Sequence, residues 1–204
     1  MRHWLHAQMA QWHAARKIRC AGGAVRYGYF RPEWLSRLLG TCRVGPIADV
    51  VLSYAEGVSE AVWESVGRLP FVRVIDARAS SITDNDMSHL CCMRTVVLFD
   101  LGDTAVTDRG IRFLEDYCAL ELLMLDGTAI TSSSLAVLSG LPRLELLFLD
   151  KTRIDDDGLE HLAAARRLRW LRLDGTRASS QAVGWLQARL PLCKVYRAAA
   201  GAEE

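Results

Sequence analysis

The sequence predicts an α/β solenoid, a stack of coils that each consist of a short β-strand followed by an α-helix. Three observations lead to this fold class. A twelve-residue segment recurs every 24 residues, apolar residues alternate within it, and a residue typical of helix N-termini closes it. A coil of this size cannot bury its own apolar side, so such coils are stable only when they stack into a parallel sheet backed by helices.

The repeat covers most of the chain. Its segments begin at Ala48, Val72, Val96, Leu120, Leu144 and Leu168. The last three read LELLMLDGTAIT, LELLFLDKTRID and LRWLRLDGTRAS, whereas the first is degenerate. Six units follow one another without an insertion, which predicts six coils in constant register.

Alternation within each segment predicts the strand. Leu123 and Leu125 point inward, as expected for a strand with one buried face. The strands are predicted at Val50–Leu52, Val74–Asp76, Leu98–Asp100, Leu122–Met124, Leu146–Phe148 and Trp170–Arg172. A column of threonines follows them, formed by Thr104, Thr128, Thr152 and Thr176. Since buried turns leave backbone groups that need partners, we expect these hydroxyls to bond to the neighbouring coil.

The last position of each segment predicts the start of a helix. It is occupied by Ser59, Thr83, Thr107, Thr131, Asp155 and Ser179. All six belong to the residue types that accept hydrogen bonds from the free N–H groups of a helix start. Apolar residues then recur every three residues, as at Leu135, Leu138 and Leu141, which predicts a helix with one buried face.

The two ends are predicted to cap the stack. Residues 2–19 form a predicted helix with Leu5, Met9 and Trp12 on its buried face, followed by a strand at residues 25–29. Residues 194–197 predict a last strand and residues 198–204 a frayed tail. The chain is therefore divided into an N-terminal cap at 1–47, six repeats at 48–191 and a C-terminal cap and tail at 192–204.

The repeat pattern LxxLxLxxTxITDxGLxxLxxL, clearest in residues 98–114, resembles the leucine-rich repeats of planctomycete-type bacteria, within the ribonuclease-inhibitor-like class. Residues 22–29 and 32–40 resemble the leader of those proteins, and residues 190–195 resemble their closing element. The resemblance implies a right-handed superhelix with the sheet on its concave face and the helices on its convex face. Such relatives often have a membrane-spanning helix before the Gly-Gly leader, and the chain begins too late to include one.

Composition narrows the function classes. The chain has no apolar stretch long enough to span a bilayer and no secretory signal, which predicts a cytoplasmic protein. The first 46 residues have eight basic residues and one acidic residue, a net charge of +7. Because the basic residues are scattered and 22 of all 25 are arginine, nucleic-acid binding is not favoured. The six cysteines form no CxxC pair, so we expect small buried hydrophobes and neither a metal site nor a cofactor.

The outward strand positions form three columns, named here by their place in the segment. The third-position column is Val50, Val74, Leu98, Leu122, Leu146 and Trp170. The fifth-position column is Leu52, Asp76, Asp100, Met124, Phe148 and Arg172. The seventh-position column is Tyr54, Arg78, Gly102, Asp126, Asp150 and Asp174.

Five large apolar residues adjoin in these columns, and we call them the concave patch: Leu122, Met124, Leu146, Phe148 and Trp170. Exposed apolar patches commonly mark protein interfaces, and Trp, Phe, Met and Arg are enriched at interface cores. The predicted partner-binding site is this patch together with Arg172 and the three aspartates of the seventh-position column. The other interpretation is that large residues there only raise strand propensity.

The aspartates Asp126, Asp150 and Asp174 allow two interpretations. Three carboxylates could hold Ca²⁺, although that ion takes 6–8 oxygens. We favour the alternative that each Asp begins a turn by bonding its own backbone, and that the acids give the patch an acidic rim.

These features predict a protein without catalytic activity that binds a protein or peptide on its concave face. The sequence has no Ser–His–Asp order, phosphate loop or paired-acid cleft. A structural or assembly module that acts through its caps and basic N-terminal segment is the alternative. A substrate-recognition subunit of a larger complex is a further one, although 204 residues leave no room for a recruiting domain.

Overall fold

A computed structural model describes residues 2–27 and 47–198, with side chains from residue 9 onward. The helices are α1 (Arg2–Cys20), α2 (Glu60–Gly67), α3 (Asp84–His89), α4 (Asp108–Ile111, extended by a 3₁₀ turn at Arg112–Leu114), α5 (Ser133–Ser139), α6 (Asp156–Leu162) and α7 (Ser180–Arg189). The strands are β1 (Ala24–Tyr27), β2 (Ile47–Val51), β3 (Val74–Asp76), β4 (Leu98–Asp100), β5 (Leu122–Met124), β6 (Leu146–Phe148), β7 (Trp170–Arg172) and β8 (Lys194–Tyr196).

The eight strands of the described residues form one sheet in chain order. β1 pairs antiparallel with β2, and every later pair is parallel. From β3 onward the paired residues lie 24 positions apart, as Leu122 pairs with Leu146 and Leu146 with Trp170. The predicted strands from β3 to β7 are confirmed, and so is the C-terminal strand β8.

The first coil is shifted by one residue from the predicted register. Asp49 pairs with Val74, so Val50 and Leu52 point into the core and are fully buried. Their prediction as outward residues was wrong. The seventh position of the first coil is Ser53 and not Tyr54. The backbone N–H of Tyr54 bonds to the carbonyl oxygen of Arg78, so Tyr54 corresponds to Ala79 and Ser53 corresponds to Arg78.

An extra residue in the first turn causes the shift. Two residues separate Ala55 from Val58 in the first coil, whereas one residue separates Ser80 from Ile82 in the second. Gly57 accommodates the additional residue with a φ of 64°, a backbone conformation that glycine adopts without strain. The helix cap at Ser59 therefore keeps its spacing while the strand before it moves.

The core consists of columns that run through the stack. The inward strand residues Ile75, Phe99, Leu123, Leu147 and Leu171 are all fully buried. The predicted helix residues Leu135, Leu138 and Leu141 are buried as well. Neighbouring strands lie about 4.8 Å apart, so each side chain contacts its counterparts in the coils on either side.

The threonine column bonds differently from the prediction. The hydroxyls of Thr104, Thr128 and Thr152 each donate to the carbonyl oxygen three residues earlier in the same coil, at 2.6 Å. Their predicted bonds to the neighbouring coil are therefore wrong. The short side chain of a threonine next to a turn reaches a carbonyl oxygen of its own coil more easily than a carbonyl oxygen of the next coil.

Five of the six predicted cap residues begin a helix, namely Ser59, Thr83, Thr107, Asp155 and Ser179. In the remaining coil, α5 begins after Ser132, one residue later than Thr131. The helix starts are also bonded to one another. The carboxylate of Asp84 accepts bonds from the N–H and hydroxyl of Thr107, at 2.7 and 2.6 Å.

The same bond recurs one coil later, where the carboxylate of Asp108 accepts from Thr131 at 2.8 and 2.6 Å. The next pair is reversed, because the hydroxyl of Ser132 donates to the carboxylate of Asp155. Each of these three pairs joins one hydroxyl and one carboxylate, whichever coil supplies them, and the bonds fix the starts of α3, α4, α5 and α6 to one another.

The N-terminal helix packs with a different face from the predicted one. Among its described side chains, from residue 9 onward, Gln11, Ala14, Ala15 and Ile18 are buried, whereas Met9 and Trp12 are each 60% exposed. Their assignment to the core was wrong, and the side chain of Leu5 lies outside the described residues. The two alanines let the helix approach closely, and Gly23 does the same for the following turn, since a Cβ there would lie 2.6 Å from the carbonyl oxygen of Val51.

The other end of the stack is closed by α7 and β8. Cys193 is buried just before β8, and the N–H of Ala198 bonds to the carboxylate of Asp174. The remainder of the predicted tail lies outside the described residues. Among the helices of the described part, none is both long and apolar enough to cross a membrane.

Candidate functional site

The candidate site lies on the sheet face opposite the helices, across β5, β6 and β7. Strand pairing aligns Leu122, Leu146 and Trp170 of the third-position column across β5, β6 and β7. It aligns Met124, Phe148 and Arg172 of the fifth-position column in the same way. The structure therefore brings the predicted third- and fifth-position residues together on one continuous surface, in which the residues of neighbouring strands lie about 4.8 Å apart along the stack.

Exposure distinguishes this surface from the core. Each member of the concave patch is partly exposed, whereas the alternating residues Leu123, Leu147 and Leu171 are fully buried. A side chain that alternates with a buried one points away from the core, so truncating it leaves the interior intact. The patch is accordingly available for contact with a partner.

Two aromatic rings stack at one end of the patch. The rings of Trp170 and Tyr196 have centroids 4.4 Å apart and planes 24° apart. The ammonium of Lys194 lies 5.9 Å from the centroid of the Trp170 ring. Tyr196 and Lys194 lie outside the site predicted from the sequence, although one further 24-residue step from Arg172 and Trp170 reaches both.

Arg172 joins the apolar and acidic parts of the site. Its guanidinium lies 5.6 Å from the centroid of the Phe148 ring. The same group forms an ion pair with Asp150 and lies 3.7 Å from a carboxylate oxygen of Asp174. A cation that rests on an aromatic face between two carboxylates is held in place from several directions.

The aspartate column bonds from coil to coil. Asp126 accepts a bond from the backbone N–H of Asp150 at 3.0 Å, and Asp150 accepts one from the N–H of Asp174 at 2.9 Å. The carboxylate of Asp174 accepts from Ala198. The favoured interpretation, in which each Asp bonds its own backbone, is therefore wrong for these three residues.

These bonds also affect the pKa of the carboxyl groups. Burial raises the pKa of Asp126 and of Asp150, and the donated N–H groups and Arg172 partly offset the increase. Within the described residues, no group of three or more His, Cys, Asp or Glu side chains is placed to hold a metal ion. Instead, the oxygens of the column accept from backbone N–H groups and from Arg172.

The N-terminal half of the concave face has a different chemistry. Asp76 and Asp100 accept bonds from N–H groups two residues later in their own coils, at 3.2 and 2.9 Å. Arg78 forms an ion pair with Asp103 at 2.6 Å and lies 3.9 Å from Asp126. The apolar surface therefore narrows to the third-position column in this half.

The helical face carries an open depression of about 640 Å³ between α2, α3 and α4. Several of its polar groups are paired with one another or with a neighbouring coil. Asp86 accepts from Thr83, Asp84 accepts from Thr107, and the ring of His89 lies 2.9 Å from a carboxylate oxygen of Glu60. These pairs join neighbouring helices.

The cysteines are less buried than expected. Cys193 is buried, but Cys20, Cys92 and Cys118 are exposed and Cys91 is intermediate, while Cys42 lies outside the described residues. The prediction that they are buried hydrophobes is thus wrong for most of them. Cys91 and Cys92 have sulfur atoms 3.4 Å apart, and the contact with Cys92 raises the pKa of the Cys91 thiol.

No protein-family model matches the sequence, and no curated protein matches it either. Solved structures do match it. Internalin C2 from Listeria monocytogenes has a TM-score of 0.57 and 20% sequence identity over 76% of this chain and 75% of its own. The fold is a leucine-rich-repeat solenoid.

A second similar structure is the leucine-rich-repeat ectodomain of the Arabidopsis receptor kinase HAESA, in complex with a peptide hormone ligand. It has a TM-score of 0.57 and 15% identity over 93% of this chain. The chain spans 33% of the HAESA structure. At sequence identities this low, the structural similarity shows the fold alone.

Proposed function

We propose that this protein is a binding scaffold without catalytic activity, and that a protein or peptide binds to the concave patch. The observation that carries the proposal is that the large apolar side chains of the concave patch point away from a fully formed core. A folded protein gains little by placing Phe148 and Trp170 there, because the core beneath them is already filled by Leu147 and Leu171.

The chemistry of the patch supports a protein or peptide partner. Aromatic and arginine side chains are the residues that most often dominate binding energy, and Trp170, Tyr196, Phe148 and Arg172 adjoin one another here. The ectodomain of HAESA, which shares this fold, was solved with a peptide hormone bound. Asp126 and Asp174 flank the patch and are the more exposed carboxylates of the column, so they favour a partner with basic groups at its edge.

The test begins with capture of partners from a lysate of the organism of origin, followed by affinity measurements on the partner identified. The double variant Phe148→Ala/Trp170→Ala should keep its fold and lose at least about 30-fold in affinity, the equivalent of ~2 kcal/mol for a hot spot. The matched control is Phe71→Ala/Trp185→Ala, which removes the same two side-chain types from exposed positions outside the patch. The control should bind as the wild type does.

Leu147→Ala provides the complementary control for folding. Leu147 is adjacent to Phe148 but fully buried, so its truncation should lower the free energy of unfolding by ~2–5 kcal/mol through the cavity that it leaves. The proposal fails if the outward variants unfold as Leu147→Ala does. It also fails if a captured partner binds both double variants equally well. Binding through the apolar patch should depend less steeply on ionic strength than binding through the basic N-terminal segment, because the charged groups of the patch lie only at its edge.

A further inference from the structure

The N-terminal helix exposes an apolar surface on the side that faces away from the solenoid. Ile18 is fully buried, and Met9 lies nine residues earlier, which places it about 180° around the helix from Ile18 at 100° per residue. Met9 and Trp12 are each 60% exposed. The helix is therefore held by one face and leaves two large apolar side chains on the other.

The same outer face is basic. α1 contains no acidic residue, and Arg16 and Arg19 are both exposed. Each lies seven residues after one of the apolar side chains, so Arg16 shares a face with Met9 and Arg19 with Trp12, to within about 20°. The Arg16 guanidinium lies 5.9 Å from the centroid of the Trp12 ring. Across the described residues, no carboxylate is within ion-pair distance of either arginine.

Contacts with the solenoid fix this orientation. Lys17 donates to the hydroxyl of Ser65 at 2.9 Å and to the carbonyl oxygen of Ala61 at 3.2 Å, both in α2. Lys17 is thereby directed towards α2 while its neighbour Arg16 points outward. The helix is presented in a set position, so it does not need to fold when it meets a partner.

We propose that the outer face of α1 binds to the surface of anionic phospholipid membranes. Helices that lie in the membrane interface bury Trp, Phe or Leu at the boundary of headgroups and acyl chains, and their Lys and Arg side chains are attracted to anionic lipids. Trp is favoured at the level of the headgroups, and arginine pairs with their phosphates. Met9 favours a membrane over a nucleic acid as the partner. Its thioether side chain makes favourable apolar contacts at the boundary of headgroups and acyl chains and makes none with a phosphate backbone. The proposal is independent of the concave patch, which begins three strands away from β2.

The test uses the full chain and vesicles in a sedimentation assay. Vesicles of phosphatidylcholine mixed with phosphatidylglycerol should bind the wild type, and vesicles of phosphatidylcholine alone should bind it far less. Each basic residue near an anionic surface changes the partition coefficient about fivefold, so Arg16→Glu/Arg19→Glu should lower it at least about 25-fold. Trp12→Gln should lower it about tenfold through the lost apolar contact.

The chain offers matched controls for both variants. Arg166→Glu/Arg167→Glu makes the same change in net charge at two exposed arginines elsewhere. Trp185→Gln removes a tryptophan that pairs with Arg189 at 4.8 Å on α7, as Trp12 pairs with Arg16 on α1. Both controls should sediment as the wild type does, and all variants should keep the wild-type melting temperature.

Three outcomes overturn the proposal. Absence of sedimentation with the anionic vesicles is the first, and equal sedimentation with both kinds of vesicle is the second. The third is a loss in the controls equal to that in the α1 variants, which would make the effect one of overall charge. If a mixed-sequence DNA duplex bound through Arg16 and Arg19 while the vesicles did not, the face would be a nucleic-acid site and the proposal would be wrong.

Discussion

The two halves of the concave face use aspartate in different ways. In the N-terminal half, Asp76 and Asp100 occupy the fifth position and bond to N–H groups of their own coils. In the C-terminal half, Asp126 and Asp150 occupy the seventh position and bond to the N–H of the next coil. A shift of two residues along the strand thus changes a local bond into a bond between repeats.

The shift also determines where apolar residues are placed. Where the carboxylates stand at the seventh position, the fifth position is free for Met124 and Phe148, and the apolar surface becomes two residues wide. Where they stand at the fifth position, the seventh is occupied by Arg78 and Gly102. The half whose coils are joined by aspartates is therefore also the half with the wider apolar surface.

The largest expected difference between the halves is in the cost of removing an aspartate. Asp150→Ala should lower the free energy of unfolding by ~1–3 kcal/mol. The reason is that the N–H of Asp174 loses its acceptor, the carboxylate of Asp150, and Asp150 is only 7% exposed. Asp76→Ala should cost ~1 kcal/mol or less, since its bond is local and longer. Chemical denaturation measures both.

Asp150→Asn separates the hydrogen bond from the charge. The amide oxygen can still accept from Asp174, so most of the stability should be retained, although the ion pair with Arg172 is lost. Equal losses for Asp150→Ala and Asp76→Ala would show that the bonds between coils contribute no more than the local ones.

A second prediction concerns pH. Burial raises the pKa of Asp100 and of Asp126 above the ordinary value of 3.8. The folded protein then holds protons that the unfolded chain has released, so the contribution of each group to stability falls as the pH rises through its raised pKa. Asn substitution removes that dependence. The free energy of unfolding of Asp126→Asn relative to the wild type should therefore increase from acid to neutral pH.

Asp100→Asn should show the same sign, because burial is common to both halves even though the hydrogen bonds differ. Asp155 provides the opposite case, since the hydroxyl of Ser132 lowers the pKa of its carboxyl. Asp155 contributes stability that is lost as the pH falls, so Asp155→Asn should lose stability relative to the wild type as the pH rises. Urea denaturation at a series of pH values would contradict the explanation if all three variants followed one trend.

The constant 24-residue spacing allowed most of the sheet to be predicted. Strands β3 to β7 and the outward rows follow from it, because a fixed step keeps every side chain on its face. The first coil departs from it because one residue inserted at a turn reverses the faces of the preceding strand, as Val50 shows. Segment alignment cannot locate such a residue when the repeat itself is degenerate.

The direction of polar bonds and the face of α1 could not be predicted. Threonine and aspartate each had two partners within reach, one in the same coil and one in the next, and the choice depends on side-chain length and on the position of the turn. For α1, Trp12 and Met9 form as regular an apolar stripe as the buried residues do. Ala14 and Ala15 are buried but give only a weak apolar signal in the sequence because they are small, although close packing of a helix favours small residues at the contact.

The smallest expected effect concerns the boundary between the two halves, where Arg78 crosses over Gly102. A Cβ at Gly102 would lie 2.8 Å from Nη1 of Arg78 and 3.1 Å from a carboxylate oxygen of Asp100. The guanidinium is the end of a flexible side chain and can move aside, at the cost of its 3.9 Å contact with Asp126. Exposed ion pairs contribute ~0–1 kcal/mol, and replacing glycine with alanine stabilises by a similar amount through the unfolded chain. Gly102→Ala should therefore change the free energy of unfolding by less than ~1 kcal/mol in either direction. A loss of ~2 kcal/mol or more in chemical denaturation would mean that Arg78 is held rigidly between the two halves, and that the boundary is a structural element in its own right.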